Sequence, residues 1–412
     1  MSSLSVANTK FTLDLFRKLR KDGDNVFYSP VSILSALAML DLGARGNTAL
    51  QMEKVLHFNE ITEKATKKPT APHNISGLEQ RISWKKLNHL FWMLKAGESG
   101  NVHQEIQKFL TELNKPSEAY NLKIANRVYG EKEFQFLQEY LDGIKKFYLA
   151  TVESLDFKNA AEESRKRINS WVESQTNEKI KDLFPSGTID QNTRLVLVNA
   201  VYFKGRWDKE FKKEWTTEAK FWQNKNVSKS VQMMAKSGHF NFAFLEDVQA
   251  KILEMPYKGN DLSMVLLLPN EADGLQELED KLTAEKLMEW TSPRSMEMTN
   301  VNVHLPRFKV EETYNLKTML SAMGMEDVFC PQKADLSGMT GTQGLSVSKV
   351  VHKSFVEVNE EGTEAAATTG IVVKATSAPM PAISFYCDHP FLFFIKQNKT
   401  HSILFFGRVS SP

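Results

Sequence analysis

A run of small residues after two carboxylates is the feature that most restricts how this chain can fold. Glu360 to Gly362 is followed by residues 363–369, which are Thr and Ala with a single Glu364. Three consecutive alanines favour a helix, but the threonines and the Ile-Val-Val that follow favour a strand or an extended loop. Prolines at 379 and 381 cannot continue a central strand, because proline lacks the backbone donor. The sequence therefore predicts an exposed loop whose first half can form a strand.

Side-chain alternation divides this loop into two faces. One face carries no charge and no proline: Thr363, Ala365, Ala367, Thr369, Ile371 and Val373. The other face holds both charges: Glu364, Ala366, Thr368, Gly370, Val372 and Lys374. Since burying an unpaired charge costs several kcal/mol, the uncharged face is the one that can turn inward. Such a segment could slide between existing strands without clashing.

The bulk composition is that of one ordinary globular domain. The chain has 412 residues, of which 42% are hydrophobic and 25% charged, as in typical soluble domains. No linker, low-complexity run or internal repeat divides it, which favours a single domain over residues 1–412. The net charge of +2 gives no reason to expect a nucleic-acid partner. No apolar stretch is long enough to predict a transmembrane span.

The N-terminal residues and the cysteine count bear on location. The start of the chain lacks a cationic region followed by an apolar one; it has the spacing of an amphipathic helix, with Phe11, Leu15 and Leu19 on one side. Cys330 and Cys387 are the only cysteines, which favours a reducing compartment. We therefore expect a cytoplasmic protein, with release without a conventional signal peptide as the alternative.

Periodicity predicts mixed helices and strands in no simple βαβ order, hence an α+β fold. Helices are predicted over roughly 5–21, 31–43, 48–56, 103–113, 137–148, 162–175, 274–290 and 314–323. Strands are predicted near 195–203, 240–246, 250–257, 262–268, 299–311, 353–359, 391–396 and 403–409. The runs 262–268 and 391–395 are almost wholly apolar, so both faces of those strands should be buried.

No motif predicts catalysis, a metal or a cofactor. Nucleophile-elbow, zinc-protease, phosphate-loop, dinucleotide-binding and C-x-x-C patterns are all absent from the sequence. The nine histidines show no metal-ligand spacing. Glu360 and Glu361 are poorly placed as an acid–base pair, because adjacent strand residues point to opposite faces. The chain is therefore not expected to be an enzyme.

Six blocks in order along the chain resemble the serpin family. They are NVFYSPVSI at 25–33, LVNAVYFKGRW at 197–207, LPRFKV at 305–310, DLSGMTG at 335–341, HKSFVEV at 352–358 and DHPFLFFI at 388–395. Within the family, the chain resembles the ovalbumin-like intracellular clade B branch and, on residues 398–412, the squamous cell carcinoma antigen subgroup. The resemblance implies three β-sheets surrounded by about nine helices, with an exposed reactive-centre loop at 360–381.

This resemblance implies suicide inhibition of serine or papain-like cysteine endopeptidases. A target endopeptidase cleaves the loop, and the loop then inserts as a new central strand while the enzyme is still covalently attached. The alternative is a non-inhibitory serpin that acts as a binding protein. A monomer is expected in either case.

Family positions carry over to the loop residue by residue. The hinge comprises Glu360, Glu361, Gly362, Thr363, Glu364, Ala365, Ala366, Ala367 and Thr368. Counting from Glu360 as the hinge glutamate places P1 at Thr376 and P1′ at Ser377, which suits elastase-like enzymes. A shift of two residues would make Lys374 and Ala375 the reactive bond. That bond suits trypsin-like enzymes, and also papain-like ones because Val373 would then occupy P2.

Other positions match the regions that open during insertion. Ser29, Ser32, Asn199 and His352 match the shutter beneath the central sheet, although buried polar groups need partners in any fold. Trp207 matches the breach, where the loop enters. Arg307 and Glu360 match a hinge ion pair, which if partly exposed would contribute under about 1 kcal/mol and act as a latch.

One segment departs from the family pattern. Residues 58–100 form a longer connection between helices C and D than the subgroup usually carries. Within it, 78–97 has helical apolar spacing at Trp84, Leu87, Phe91 and Leu94, with basic residues between them. This pattern is consistent with a partner-binding or membrane-surface helix, an extra packed helix, or an insertion without a role.

Overall fold

The computed structural model describes residues 2–65, 100–361 and 381–412. These ranges contain ten α-helices: α1 (Ser3–Leu19), α2 (Pro30–Gly43), α3 (Gly46–Val55), α4 (Phe58–Ala65), α5 (Gly100–Leu113), α6 (Gln138–Tyr148), α7 (Ala161–Gln175), α8 (Leu275–Lys281), α9 (Ala284–Trp290) and α10 (Lys317–Ala322). The predictions for residues 66–99 and 362–380, including the amphipathic spacing at 78–97, concern residues outside the described ranges.

Fourteen strands lie in the same ranges. They are β1 (Val26–Tyr28), β2 (Tyr120–Glu131), β3 (Val152–Leu155), β4 (Leu195–Gly205), β5 (Thr217–Trp222), β6 (Ser228–Leu245), β7 (Ala250–Pro256), β8 (Leu262–Pro269), β9 (Glu297–Pro306), β10 (Phe308–Asn315), β11 (Lys349–Val358), β12 (Ile383–Tyr386), β13 (Phe391–Gln397) and β14 (Ile403–Val409). Helices and strands alternate irregularly, as an α+β fold requires.

A five-stranded sheet holds two of the predicted shutter residues, Asn199 in β4 and His352 in β11. Its order is β10-β11-β4-β2-β3. β11 and β4 pair directly and in parallel over eight residues, from Lys349 opposite Val196 to Val356 opposite Phe203. β10 is antiparallel to β11, and β2 is antiparallel to β4. The centre of the sheet is therefore the parallel β11–β4 ladder between two antiparallel ladders, and β3 pairs with β2 in a second parallel ladder at one edge.

The other nine strands form one continuous sheet among the described residues. Its longest strand, β6, has 18 residues. Its first part pairs with β5 and β9, and its last residues pair with β7. This single strand joins two of the three sheets that the resemblance implies. Every residue of β8 and β13 is buried, as their apolar runs predict.

Both faces of the five-stranded sheet are covered. On one face, Tyr129, Val196 and Val198 pack against Ile168 and Val172 of α7. The opposite face packs against the nine-stranded sheet, through Phe203 and Val356 on one side and Phe393 and Phe405 on the other. Helix α2 is buried along its whole length, as expected for a helix that is apolar all round. It begins at Pro30, whose missing N–H is tolerated at the first helical position.

Several predicted boundaries differ from the structure. The predicted helix 274–290 is two helices, because Leu282 is extended and the Thr283 side chain caps α9 by accepting from the Lys286 N–H. The predicted strand 299–311 is β9 and β10, which belong to different sheets and meet at Arg307. The connection expected from residue 58 starts with a helix, α4. Five strands have no counterpart among the predicted ones: β1, β2, β3, β5 and β12.

Candidate functional site

The structure describes only the start of the predicted loop. Glu360 and Glu361 are described, whereas Gly362 to Thr368 and the candidate reactive bonds at 374–375 and 376–377 lie outside the described residues. The geometry of the candidate site is therefore that of the end of β11, the turn that follows β4, and the centre of the five-stranded sheet.

Glu360 is held at the end of β11 by three groups. Its side chain is buried, and its backbone oxygen accepts from the Phe211 N–H at 2.9 Å. Arg307 donates to both carboxylate oxygens, with Nε 3.1 Å from Oε2. The Thr216 hydroxyl donates to Oε1 at 2.7 Å. The predicted pair with Arg307 is thus present, and it is supplemented by two residues that the sequence did not identify.

The environment of Glu360 favours its ionised form. Burial alone would raise the pKa of Glu360, but the hydrogen bonds from Arg307 and Thr216 hold that pKa below its ordinary value. The pair is asymmetric, because the Arg307 side chain is 47% exposed and the Glu360 side chain only 3%. Loss of Arg307 would leave a buried carboxylate, which costs more than the loss of an exposed pair.

The turn after β4 holds the hinge backbone. Trp207 is buried and stacks on Tyr257 with ring centres 4.6 Å apart. Its indole N–H donates to the backbone oxygen of Asn359 at 2.9 Å. Lys213 forms an ion pair with Glu361 on the surface. The predicted breach residue therefore contacts the segment that leads into the loop.

The four predicted shutter residues lie in one buried hydrogen-bonded network. The Ser29 N–H donates to His352 Nε2 at 3.1 Å, so Nε2 is an acceptor and the ring proton is on Nδ1. Nδ1 donates to Asn199 Oδ1, and Asn199 Nδ2 donates to Ser32 Oγ at 2.6 Å. Asn199 Nδ2 also donates to Asn126 Oδ1, which extends the network into β2.

Strand register explains this convergence. His352 is the direct partner of Asn199 in the β11–β4 ladder, and Asn199 is the partner of Asn126 in the β4–β2 ladder. Burial lowers the pKa of His352 to about 3, so the imidazole is neutral at physiological pH. The His352–Asn199 bond therefore crosses the parallel β11–β4 ladder at the centre of the sheet. It must break wherever those two strands separate.

In the part of the chain that the structure describes, no three His, Cys, Asp or Glu side chains converge to hold a metal ion. Across the same ranges, no helix combines the length and apolar character needed to cross a bilayer.

Comparison with known proteins gives matches over the whole chain. A family model described as "Serpin (serine protease inhibitor)" matches residues 6–412. Serpin B4 and Serpin B3 of Homo sapiens are 62% and 60% identical over 413 aligned residues, which cover 100% of each chain. The leukocyte elastase inhibitor of Homo sapiens is 46% identical over 418 aligned residues, again covering 100% of both.

Solved structures share the same architecture. Uncleaved ovalbumin superposes with a TM-score of 0.84 at 38% identity, covering 100% of both chains. A loop-inserted structure of a cleaved ovalbumin mutant superposes with a TM-score of 0.82 at 38% identity, again covering 100% of both.

Proposed function

This chain belongs to the serpin family, in the clade B branch with Serpin B3 and Serpin B4, and we propose that it inhibits endopeptidases by loop cleavage and insertion. The observation that carries the proposal is the direct parallel ladder between β4 and β11, with the loop starting at the end of β11. The target is a serine or papain-like cysteine endopeptidase, which becomes trapped as a covalent complex.

The direction of the strands makes insertion favourable. A chain that turns back after Glu360 and enters between β11 and β4 runs antiparallel to β11. It also runs antiparallel to β4, because β4 and β11 are parallel to each other. One parallel ladder is then replaced by two antiparallel ladders, and antiparallel pairing is slightly more stable per residue. Cleavage frees the loop to insert, and the sheet with the inserted loop is therefore more stable than the sheet of the intact protein.

The contacts at the hinge and shutter would control this step. The hinge residues 360–368 can join the sheet only when Glu360 leaves Phe211, Thr216 and Arg307. The strands can part only when His352 releases Asn199. We assign the hinge and breach residues to holding the loop outside the sheet before cleavage. We assign Ser29, Ser32, Asn199 and His352 to the switch between two states of the five-stranded sheet, one without the loop and one with the loop inserted.

The reactive bond proposed first is Thr376–Ser377. Threonine at P1 with Ala375 at P2 suits a protease with a small or permissive S1 pocket, and the name of the leukocyte elastase inhibitor supports an elastase-like serine protease as the first target to test. Lys374–Ala375 is the second choice and would direct the inhibitor to trypsin-like or papain-like enzymes. Cytoplasmic location and a monomeric state are part of the same proposal.

The test is incubation of the full chain with an elastase-like, a trypsin-like and a papain-like protease. Products are read by denaturing gel and intact mass. We expect an adduct that survives denaturation, with a released C-terminal peptide that starts at Ser377; a start at Ala375 would move P1 to Lys374. Cleavage by every enzyme, without an adduct and without a gain in thermal stability, would contradict inhibition and favour a non-inhibitory binding protein.

A further inference from the structure

Lys236 in β6 is a charged side chain enclosed by aromatic rings. Only 6% of the residue is exposed. Its ammonium nitrogen lies 4.8 Å from the ring centre of Trp207, 4.2 Å from that of Phe211 and 5.4 Å from that of Phe240. The same nitrogen donates to the backbone oxygen of Lys209 at 2.8 Å. We refer to Trp207, Phe211 and Phe240 as the aromatic box.

Two residues of the aromatic box are also the residues that hold the hinge backbone. Trp207 donates its indole N–H to the backbone oxygen of Asn359, and Phe211 donates its backbone N–H to the backbone oxygen of Glu360, both at 2.9 Å. Lys209, whose carbonyl accepts from Lys236, lies between them in the chain. The Lys236 ammonium therefore contacts the beginning, the middle and the end of the segment 207–211 that holds the hinge.

We propose that Lys236 is a positioning residue for the hinge: it fixes the 207–211 turn so that Trp207 and Phe211 present their N–H groups to Asn359 and Glu360. The assignment rests on the proposed function only for its purpose, which is to keep the loop outside the sheet before cleavage. The hydrogen bonds on which Lys236 would act, from Trp207 to Asn359 and from Phe211 to Glu360, are present in the uncleaved protein. They do not depend on what the protein inhibits.

A lysine is an unusual choice for this position if packing alone were required. Burial lowers the pKa of Lys236 to about 7, while Asp208 favours the charged form and Lys209 opposes it. Methionine would fill the aromatic box as well, because its thioether also packs favourably on aromatic rings. An ammonium adds two things that methionine lacks: attraction to the ring faces, which orients them, and a donor for the Lys209 carbonyl.

The test compares Lys236→Met with the unmodified full chain by amide hydrogen exchange. The Phe211 amide reports the hinge bond directly, because it is the donor to Glu360. We expect its exchange to be about tenfold faster in Lys236→Met, the loss anticipated for a desolvated cation–π contact. The thermal midpoint should stay the same or rise, because an apolar side chain replaces a buried charge.

Lys220→Met is the matched control. Lys220 is an exposed lysine on β5 whose ammonium lies 5.6 Å from the ring centre of Trp222, so it has a cation–π contact without burial or a hinge connection. Its replacement should leave the Phe211 amide unchanged. Where Lys236→Met does not fold, Lys236→Gln tests the same contact, because it removes the charge and keeps a neutral donor; the Phe211 amide should again exchange faster.

The proposal is overturned by either of two results. One is an unchanged Phe211 amide in a folded Lys236 variant. The other is faster exchange throughout the sheet with a lower thermal midpoint, which would make Lys236 an ordinary core residue. The outcome is separable from that of the proposed function. Absence of any protease adduct with the unmodified chain would remove the inhibitory proposal and leave the hinge result standing. Adduct formation together with an unchanged Phe211 amide in the Lys236 variants would support inhibition and remove the positioning role of Lys236.

Discussion

His352 connects the two central strands through one neutral ring, and this makes its contribution to stability depend on pH. Burial lowers its pKa to about 3 in the folded protein, against about 6.5 in an unfolded chain. Between these values the unfolded state binds more protons, so the contribution is complete above pH 6.5 and is lost as the pH falls toward 3. The change is up to about 1.4 kcal/mol per pH unit.

This pH dependence is measured by urea unfolding between pH 7 and pH 4.5 for the unmodified chain and His352→Gln, which does not titrate. The free energy of unfolding of the unmodified chain should fall more steeply with decreasing pH. Carboxylates contribute equally to both proteins, so the difference isolates His352. Parallel curves would show that the imidazole is not held neutral by burial.

Lys236 predicts a pH dependence of the same sign in a higher pH range. Its pKa is about 7 in the folded protein and about 10.4 in an unfolded chain, so above pH 7 the unfolded state binds more protons and stability rises with pH. Relative to Lys236→Met, the free energy of unfolding of the unmodified chain should increase by up to about 1.4 kcal/mol per pH unit between pH 7 and 9. Urea unfolding at pH 7, 8 and 9 measures this, and a constant difference would mean that Lys236 does not lose its proton in that range.

At the scale of the element, the loop depends on which of its faces enters the sheet. The sequence predicts that Thr363 belongs to the uncharged face of the loop and Glu364 to the charged face. Thr363→Arg should leave the fold intact but prevent insertion, because an unpaired charge would have to be buried. The protein should then be cleaved as a substrate with little adduct on a denaturing gel. Glu364→Arg is the matched control and should still form the adduct; a stable adduct with Thr363→Arg would refute the hinge assignment.

The hinge latch can be tested with two substitutions that each remove one cation. Arg307→Met leaves the buried Glu360 carboxylate with Thr216 as its remaining side-chain donor, and should lower the free energy of unfolding by about 1–2 kcal/mol, since exposure of Arg307 screens part of the pair. Lys213→Met removes the surface partner of Glu361 and should change stability little. Chemical denaturation of both variants measures the two changes in the free energy of unfolding. Equal losses of stability in Arg307→Met and Lys213→Met would contradict the asymmetry of the Glu360 pair.

Most of the helices and the most apolar strands were predictable from the sequence because their signals are local. The apolar runs at 262–268 and 391–395 identify β8 and β13, and the 3.6-residue spacing at Phe11, Leu15 and Leu19 identifies α1. Strand β2 carries a weaker signal that the predicted strands do not include: Tyr120, Leu122 and Ile124 alternate with Asn121 and Lys123, as in a half-buried strand. The three apolar residues pack against the core, but their side chains are only half-buried. Pairing with β4 over the full length of β2 is a long-range feature that local periodicity does not encode.

The same distinction applies to the candidate site. The shutter residues were identified through family motifs, and the structure brings all four together. Asn126, Thr216 and Phe211 were not identified, because each acts only through a partner that is distant in the sequence: Asn126 through strand register, and the other two through the turn that meets Glu360. Lys236 gave no signal either, since a lysine in a strand predicts an exposed side chain.

At the scale of the whole molecule, the five-stranded sheet is buried on both faces yet is not paired in its strongest possible way. Helix α7 covers one side and the nine-stranded sheet covers the other. Its central ladder is nevertheless the parallel one between β4 and β11, held by the His352–Asn199 bond. A strand that entered there would gain neighbours on both edges and a core on both faces. On the proposed mechanism, the protein reaches a more stable arrangement when the cleaved loop takes that place.

Cleavage of the loop should therefore stabilise the protein measurably. Two new antiparallel ladders add on the order of ten or more backbone hydrogen bonds, each contributing about 1 kcal/mol. For a chain of this size, each kcal/mol raises the thermal midpoint by roughly 1 °C, so we expect a rise of roughly 10–20 °C. Calorimetry of intact and loop-cleaved protein measures the shift, with cleaved Thr363→Arg as the control that should show no gain. An unchanged midpoint in the cleaved, unmodified chain would mean that the loop does not join the sheet.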